Sequence, residues 1–170
     1  MTNEIRIYVA DLAAYNSGHL HGVWIDATLD TDDMQDQINA MLAASPVEDA
    51  EEYAIHDHEG FDGYDLGEYA GIETAHAVAL FLKEYPDFGG ALLNHFGDIE
   101  DAKRAAAENY CGCHQSLADY AQELTEDTTE IPDSLRNYID YEAMGRDMEM
   151  SGDIFTVETG YQKVHIFWSH

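Results

Sequence analysis

The sequence has 170 residues, of which 35 are acidic and seven basic, so its formal net charge is −28 with histidine neutral. The length suits one domain or a row of two or three small ones, and the hydrophobic content of 45% indicates a globular protein. This charge excludes nucleic acid and anionic membranes as partners, because both would be repelled, and it favours a basic partner.

Neither export nor membrane insertion is indicated by the sequence. The N-terminus, MTNEIRIYV, has no charged segment followed by an apolar run, and no stretch approaches the ~18 apolar residues of a membrane span. Two cysteines exclude a disulfide framework. We therefore expect a cytoplasmic protein.

The first 60 residues predict a compact unit with the order strand, strand, helix, strand. Ile5, Ile7 and Val9 alternate with Arg6 and Tyr8 and predict a strand at 4–10. Two further strands are expected at 20–27, which contains Trp24, and at 53–58. A polar turn is expected at 15–18. Asp30 or Thr31 begins a predicted helix that Pro46 closes, and four apolar side chains at helical spacing form its inner face: Met34, Ile38, Met41 and Leu42.

The rest of the chain predicts mainly helices, followed by a hairpin. Helical segments are expected at 73–85, 88–96, 98–110 and 116–127, with an extended segment between the last two. Pro132 begins a further helical region that Gly152 ends. Its expected buried side consists of Tyr138, Tyr141, Met144 and Met148. Two β-rich runs around Thr159-Gly160 predict the hairpin.

Candidate metal and nucleophile sites are sparse. His56 and His58, like His19 and His21, have the spacing that places two imidazoles on one face of a strand, but no HExxH motif is present. An EF-hand loop begun at Asp57 fails because Phe61 occupies a ligand position. The segment CGCH at 111–114 lacks the second cysteine pair of a structural zinc site. We predict no catalytic residue, metal or cofactor.

The acidic residues are unusual as a set. Residues 7–82 include 16 acids and no lysine or arginine. Acids at the start of helices act as caps and dipole partners, which accounts for some of them. The remainder resemble a solvated face, but such a face is normally balanced by lysine and arginine. Two interpretations remain: adaptation to high salt, or imitation of a polyanion.

The second interpretation has a natural length scale. Double-stranded DNA carries one charge per ~1.7 Å of axis. At that density, the net charge of this chain would extend over about 48 Å, or ~14 base pairs, if the charges lay along one ridge. DNA-reading enzymes contact their substrates over lengths of this order.

Three segments resemble a known family, the ArdA antirestriction proteins. The first is YIDYEAMGRD at 138–147, preceded by Ile131-Pro132. The second is YVADLAAYN at 8–16 together with GVWID at 22–26, and the third is YAIHD at 53–57 with EGF at 59–61. The resemblance covers nearly the whole chain. The cysteine pair and His114 lie outside the family pattern.

The resemblance implies a non-enzymatic DNA mimic that occupies the DNA-binding groove of the methyltransferase core of type I restriction–modification enzymes. It also implies an α+β fold built as an elongated row of three small domains, with dimerisation through the last one. We place these domains at 1–60 (three-stranded sheet plus helix), 61–108 (helical) and 109–170 (helices plus hairpin). The predicted partner-binding residues, called here the acidic set, are Asp30, Asp32, Asp33, Asp36, Glu48, Asp49, Glu51, Glu52, Asp62, Asp65, Glu68, Glu123, Glu126, Asp127, Asp140, Glu142, Asp147 and Glu149.

Two alternatives stay open from the sequence. One is a small metal-dependent enzyme that uses His56, His58 and neighbouring carboxylates. The other is a salt-adapted acidic binding module without mimicry, which would need molar salt to fold.

Overall fold

The structure, a computed structural model, describes residues 4–67 and 70–169 and shows a mixed α+β fold with two three-stranded antiparallel sheets. Contacts divide the chain into two compact units, Met1–Pro86 and Asp87–His170, called here the first and second units. The three-domain division with boundaries at 60 and 108 stays a prediction. None of the helices in the described parts of the chain has the length and apolarity needed to cross a membrane.

The sheet of the first unit has its N-terminal strand in the centre. The strands are β1 (Arg6–Asp11), β2 (Gly22–Asp26) and β3 (Tyr53–Glu59), in the order β2-β1-β3. The predicted strands are confirmed, with bounds shifted by one or two residues. Ile7 and Val9 on β1 are fully buried, as expected of a strand with neighbours on both sides.

Three helices accompany this sheet: α1 (Leu12–Asn16), α2 (Thr31–Ala43) and α3 (Ile72–Glu84). The predicted face of α2 is confirmed, since Met34, Ile38 and Met41 are buried. Helix α3 packs on α2, and its His76 Nδ1 lies 3.0 Å from the Ala27 carbonyl oxygen. The helix beyond the predicted boundary at residue 60 therefore lies within the first unit.

The short helix α1 was not predicted; its last two residues overlap the turn expected at 15–18, and the structure has a turn at Ser17 and Gly18. Asp11 caps it, because the Ala14 N–H donates to Asp11 Oδ1 at 3.2 Å. Asp11 is completely buried, and within the described residues its other carboxylate oxygen has no hydrogen-bond partner. The sequence signal, an aspartate directly before Leu-Ala-Ala, is that of an N-cap.

The second unit contains α4 (Gly89–Phe96), α5 (Ile99–Arg104), a π-helical turn (Ala105–Asn109), β4 (Tyr110–His114), α6 (Leu117–Thr128), a 3₁₀ helix (Asp133–Tyr138), α7 (Tyr141–Met150), β5 (Ile154–Gly160) and β6 (Lys163–Trp168). Its sheet has the order β4-β6-β5, so the C-terminal strand is central. Side chains from β6 serve both faces of the sheet. Val164 and Ile166 pack with Tyr120 of α6, whereas His165 and Phe167 lie against Phe88.

Helices α6 and α7 pack closely at Gly145. A Cβ at this position would lie 2.9 Å from Leu117 Cγ and 3.2 Å from the Leu117 carbonyl oxygen. The glycine therefore permits the approach of the two helices.

Two predictions in this unit were wrong in detail. The helical region after Pro132 is interrupted: the 3₁₀ helix ends at Tyr138, and α7 begins after Asp140. Tyr138, expected to be buried, is 84% exposed, because the interruption takes it off the face of α7. The hairpin turn lies at Tyr161-Gln162 and not at Thr159-Gly160, since Gly160 pairs with Lys163 and Gln162 adopts a φ of 56°.

Candidate functional site

The members of the predicted acidic set are exposed in both units. All 17 of its described members are solvent-exposed; Glu68 lies outside the described residues. Most of the other described acids are exposed as well, including Asp26, Glu73, Asp119 and Glu130, which the predicted set omitted. A prediction that counted every acid would have included these four, because no sequence signal separates one exposed carboxylate from another.

Helix α2 shows how the sequence places carboxylates outward. Burial of Met34, Ile38 and Met41 against the sheet turns Asp32, Asp33 and Asp36 toward solvent. Asp32 and Asp33 lie in the first turn, where the helix dipole favours negative charge. The first turn of α2 therefore tolerates a concentration of charge that the middle of a helix would not.

A second group of carboxylates follows the end of α2. Glu48, Asp49 and Glu51 line an open cleft of about 520 Å³, whose other wall is formed by α2 residues such as Leu42. Asp49 has a φ of 59°, the left-handed conformation that aspartate tolerates better than most residues. This loop therefore adds exposed charge beside the helix.

Most members of the acidic set have no partner inside the protein. Within residues 4–67 and 70–169, no side-chain hydrogen bond or ion pair is found for twelve of them, nine in the first unit and three in the second. Such carboxylates are solvated by water, and their charge can be balanced only by ions or by another molecule. The twelve are Asp30, Asp32, Asp33, Asp36, Glu48, Asp49, Glu51, Glu52, Asp62, Asp127, Glu142 and Asp147.

Four of the five remaining acids belong to the second unit and stabilise its local structure. Asp140 caps α7 by accepting from the Ala143 N–H at 3.0 Å, and Glu149 accepts from the Thr156 hydroxyl at 2.8 Å. Glu126 accepts from Gln122 at 3.1 Å, and Glu123 lies 3.3 Å from His114 Nδ1.

Asp65 is the partnered member of the set in the first unit. Its Oδ1 accepts from the Gly67 N–H at 3.0 Å and lies 3.7 Å from His58 Nε2. These contacts hold the loop after β3.

The histidines of the first unit do not assemble into a metal site in the described structure. No group of three His, Cys, Asp or Glu side chains placed to hold a metal is found in residues 4–67 and 70–169. The His56 ring lies edge-on to Tyr15, the His58 ring lies edge-on to Phe61, and His21 Nε2 is 2.7 Å from the Met41 carbonyl oxygen. These contacts are ordinary packing for half-buried histidines.

The two cysteines of β4 have different surroundings. Cys111 packs against the cluster around Tyr120 and Ile166, whereas Cys113 is exposed and pairs in register with His165. Neither thiol forms a disulfide. Burial, reinforced by a hydrogen bond with Cys111, raises the pKa of Tyr120. Cys111 therefore belongs to the core beside α6.

His165 is the buried histidine of the second unit. Its Nδ1 lies 2.8 Å from the Tyr110 hydroxyl and its Nε2 lies 3.1 Å from the Thr159 hydroxyl. Burial lowers the pKa of His165, with Lys163 acting in the same direction and Asp87 opposing it. A neutral histidine thus fits this position. Its two contacts connect β4 and β5 to the central strand.

The chain thus combines an α+β fold with many exposed carboxylates, most of which are unpaired in the first unit. These features define a protein with a polyanionic surface. The family model of the antirestriction protein (ArdA) matches residues 7–163, and the chain belongs to this family. ArdA antirestriction proteins are non-enzymatic inhibitors, and membership implies inhibition of type I restriction enzymes. A search of curated proteins found no match.

Proposed function

We propose that this protein inhibits type I restriction–modification enzymes as a DNA mimic, with the acidic set in place of DNA phosphates. The observation that carries the proposal is the surplus of exposed, unpaired carboxylates, twelve of the 17 described members of the set. A groove that binds DNA is lined with lysine and arginine, so each of these carboxylates would gain a cation on binding.

Charge complementarity determines the expected character of the complex. Long-range attraction accelerates association, and ions released from both surfaces make the affinity strongly dependent on salt. Because a single exposed charge contributes only about 0–1 kcal/mol, binding is distributed over many carboxylates. The chain supplies inhibition through its surface and performs no chemistry.

The same proposal includes how the charges are arranged along the protein. Three domains, at 1–60, 61–108 and 109–170, would carry the charges in a row, and a homodimer formed through the last domain would double the length of the row. The cytoplasm, where restriction enzymes meet incoming DNA, is the expected location. Neither nucleic acid nor membrane is an expected partner, since both carry the same sign of charge as this surface.

Competition with DNA tests the proposal. A fluorescent duplex containing the recognition sequence is bound to a type I methyltransferase core, and the protein is added at low salt. We expect stoichiometric displacement of the duplex and mutually exclusive binding. A ternary complex of enzyme, duplex and protein would contradict occupation of the DNA-binding groove, even if DNA cleavage were inhibited.

A further inference from the structure

The 3₁₀ helix at Asp133–Tyr138 presents two large apolar side chains to solvent. Leu135 is 53% exposed and Tyr138 is 84% exposed. In a 3₁₀ helix, side chains three residues apart lie one above the other, so these two share one face. Within the described residues, Tyr138 makes no ring contact or side-chain hydrogen bond. Most of the Tyr138 side chain and about half of the Leu135 side chain are therefore open to solvent.

The segment that carries this pair is fixed at both ends. Ile131 is buried before it, and Asp140 after it caps α7 at 3.0 Å from the Ala143 nitrogen. Inside the segment, the Leu135 N–H donates to the Pro132 carbonyl oxygen at 2.9 Å, and Arg136 Nε donates to Asp133 at 3.0 Å. A partner would therefore meet a preorganised surface, which reduces the entropy lost on binding.

Charge decides what kind of partner this surface fits. The charge around the pair is net negative: Glu130, Asp140 and Glu142 are exposed acids, whereas Asp133 is already paired with Arg136, the exposed base between Leu135 and Tyr138. A symmetric contact between two copies would bring these like charges together. A basic partner would pair with them, while the apolar pair enters a pocket between its cations.

We propose that Leu135 and Tyr138 form an apolar anchor by which the acidic surface docks on the basic DNA-binding groove of its target enzyme. This inference rests on the proposed function and adds a specific contact to a distributed electrostatic one. Tyrosine suits the role, because its ring gives a large rigid contact area while its hydroxyl stays compatible with a polar rim. The carboxylates bring the partners together, and the anchor slows their separation.

Alanine and phenylalanine substitutions test the anchor through the affinity for the methyltransferase core. Tyr138→Ala should weaken binding about tenfold or more, the size typical of an aromatic contact at the centre of an interface. The loss should be equal at every salt concentration, because an apolar contact releases no counterions. Tyr138→Phe, which keeps the ring, should bind like the wild type.

Tyr161 provides the matched control. It is 89% exposed in the turn between β5 and β6, and Tyr161→Ala should leave the affinity unchanged. Sedimentation of each variant reports self-association. Wild-type affinity in Tyr138→Ala would overturn the inference, and so would a lower mass for that variant, which would make the pair a contact between copies. Failure of the wild type to displace DNA would refute the proposed function itself and the inference with it.

Discussion

The first unit carries 18 acids and two bases, a formal net charge of −16, and the second carries 17 acids and five bases, −12. Both units build a three-stranded antiparallel sheet, but they treat these charges differently. Nine of the ten described members of the acidic set in the first unit lack an internal partner, against three of seven in the second.

Bases pair with acids in both units, but the second unit has more bases, five against two. In the first unit, Arg6 lies in the sheet, paired with Glu59 at 2.7 Å and 4.8 Å from the centre of the Trp24 ring. In the second, Lys103, Arg104 and Arg136 each lie within 4.0 Å of an acid three residues earlier. The second unit thus uses part of its charge for local structure, whereas the first leaves most of its acidic set without an internal partner.

Removing the unpaired charge of the first unit should have the largest effect. Amide substitution of its nine unpaired acids should weaken binding to the methyltransferase core about a hundredfold, at ~0.3 kcal/mol per exposed charge. Circular dichroism should show an intact fold, because reduced self-repulsion favours the compact state. The nine are Asp30, Asp32, Asp33, Asp36, Glu48, Asp49, Glu51, Glu52 and Asp62.

The matched substitution in the second unit replaces its seven members of the set with amides. We expect a smaller loss per charge, because four of these seven carboxylates already have partners within the protein. Equal losses per charge in the two variants would show that internal pairing does not decide which carboxylates meet the enzyme.

Acid should affect the second unit through His165. Because burial lowers its pKa below that of the unfolded chain, the unfolded state takes up the proton more readily. Its contribution to stability is therefore present above the unfolded pKa, near 6.5, and decreases as the pH falls below that value. Urea unfolding of the wild type and of His165→Gln at several pH values isolates this contribution, because carboxylate repulsion is common to both.

The exposed His19 of the first unit is the control for this measurement. His19→Gln should reproduce the pH dependence of the wild type. If His165→Gln also reproduced it, protonation of the buried ring would play no part in stability.

The ion pair in the first sheet should contribute a smaller amount. Arg6→Gln removes the pair with Glu59 and the contact with Trp24, and should lower the free energy of unfolding by about 1 kcal/mol, since the pair is partly exposed. Thermal or urea unfolding measures the change. Arg146→Gln is the control: Arg146 is exposed, and no ion pair is found for it within the described residues, so its loss should leave stability unchanged.

The smallest effect is expected at Asp140, although it lies in the family signature. Asparagine caps helices as well as aspartate does, so Asp140→Asn should keep α7 intact and remove one exposed charge. Inhibition should then change by less than about threefold. Abolished inhibition in a folded Asp140→Asn protein would replace the distributed surface with a discrete site.

Sequence patterns predicted most of the fold. Alternation predicted β1 and helical spacing predicted the inner face of α2, because burial dictates both patterns, while the other strands were expected from extended or β-rich segments. The wrong predictions concern positions at which local backbone geometry determines where a helix or strand ends. The spacing of Tyr138, Tyr141, Met144 and Met148 fits one helix, but the helical conformation is interrupted at Ile139 and Asp140. A hairpin turn at Tyr161-Gln162, with Gln162 in a left-handed conformation, carries no glycine signal.

The sequence predicted that many acids would be exposed, but it did not predict which of them would have partners inside the protein. The sequence shows the number of acids, but capping by Asp140 depends on where α7 begins, and the contact between Glu149 and Thr156 depends on how α7 meets β5. The exposure of Tyr138 likewise depends on where a helix stops. These distinctions depend on helix ends and on contacts between elements, which residue spacing along a single helix does not encode.

The salt dependence of binding is the most direct test of DNA mimicry by the carboxylates. The affinity of the wild type and of the nine-acid variant for a type I methyltransferase core is measured between about 50 and 200 mM salt. We predict that the logarithm of the wild-type affinity falls steeply and linearly with the logarithm of salt concentration, and that the variant gives a shallower slope. A wild-type affinity independent of salt would contradict the claim that carboxylates take the place of DNA phosphates.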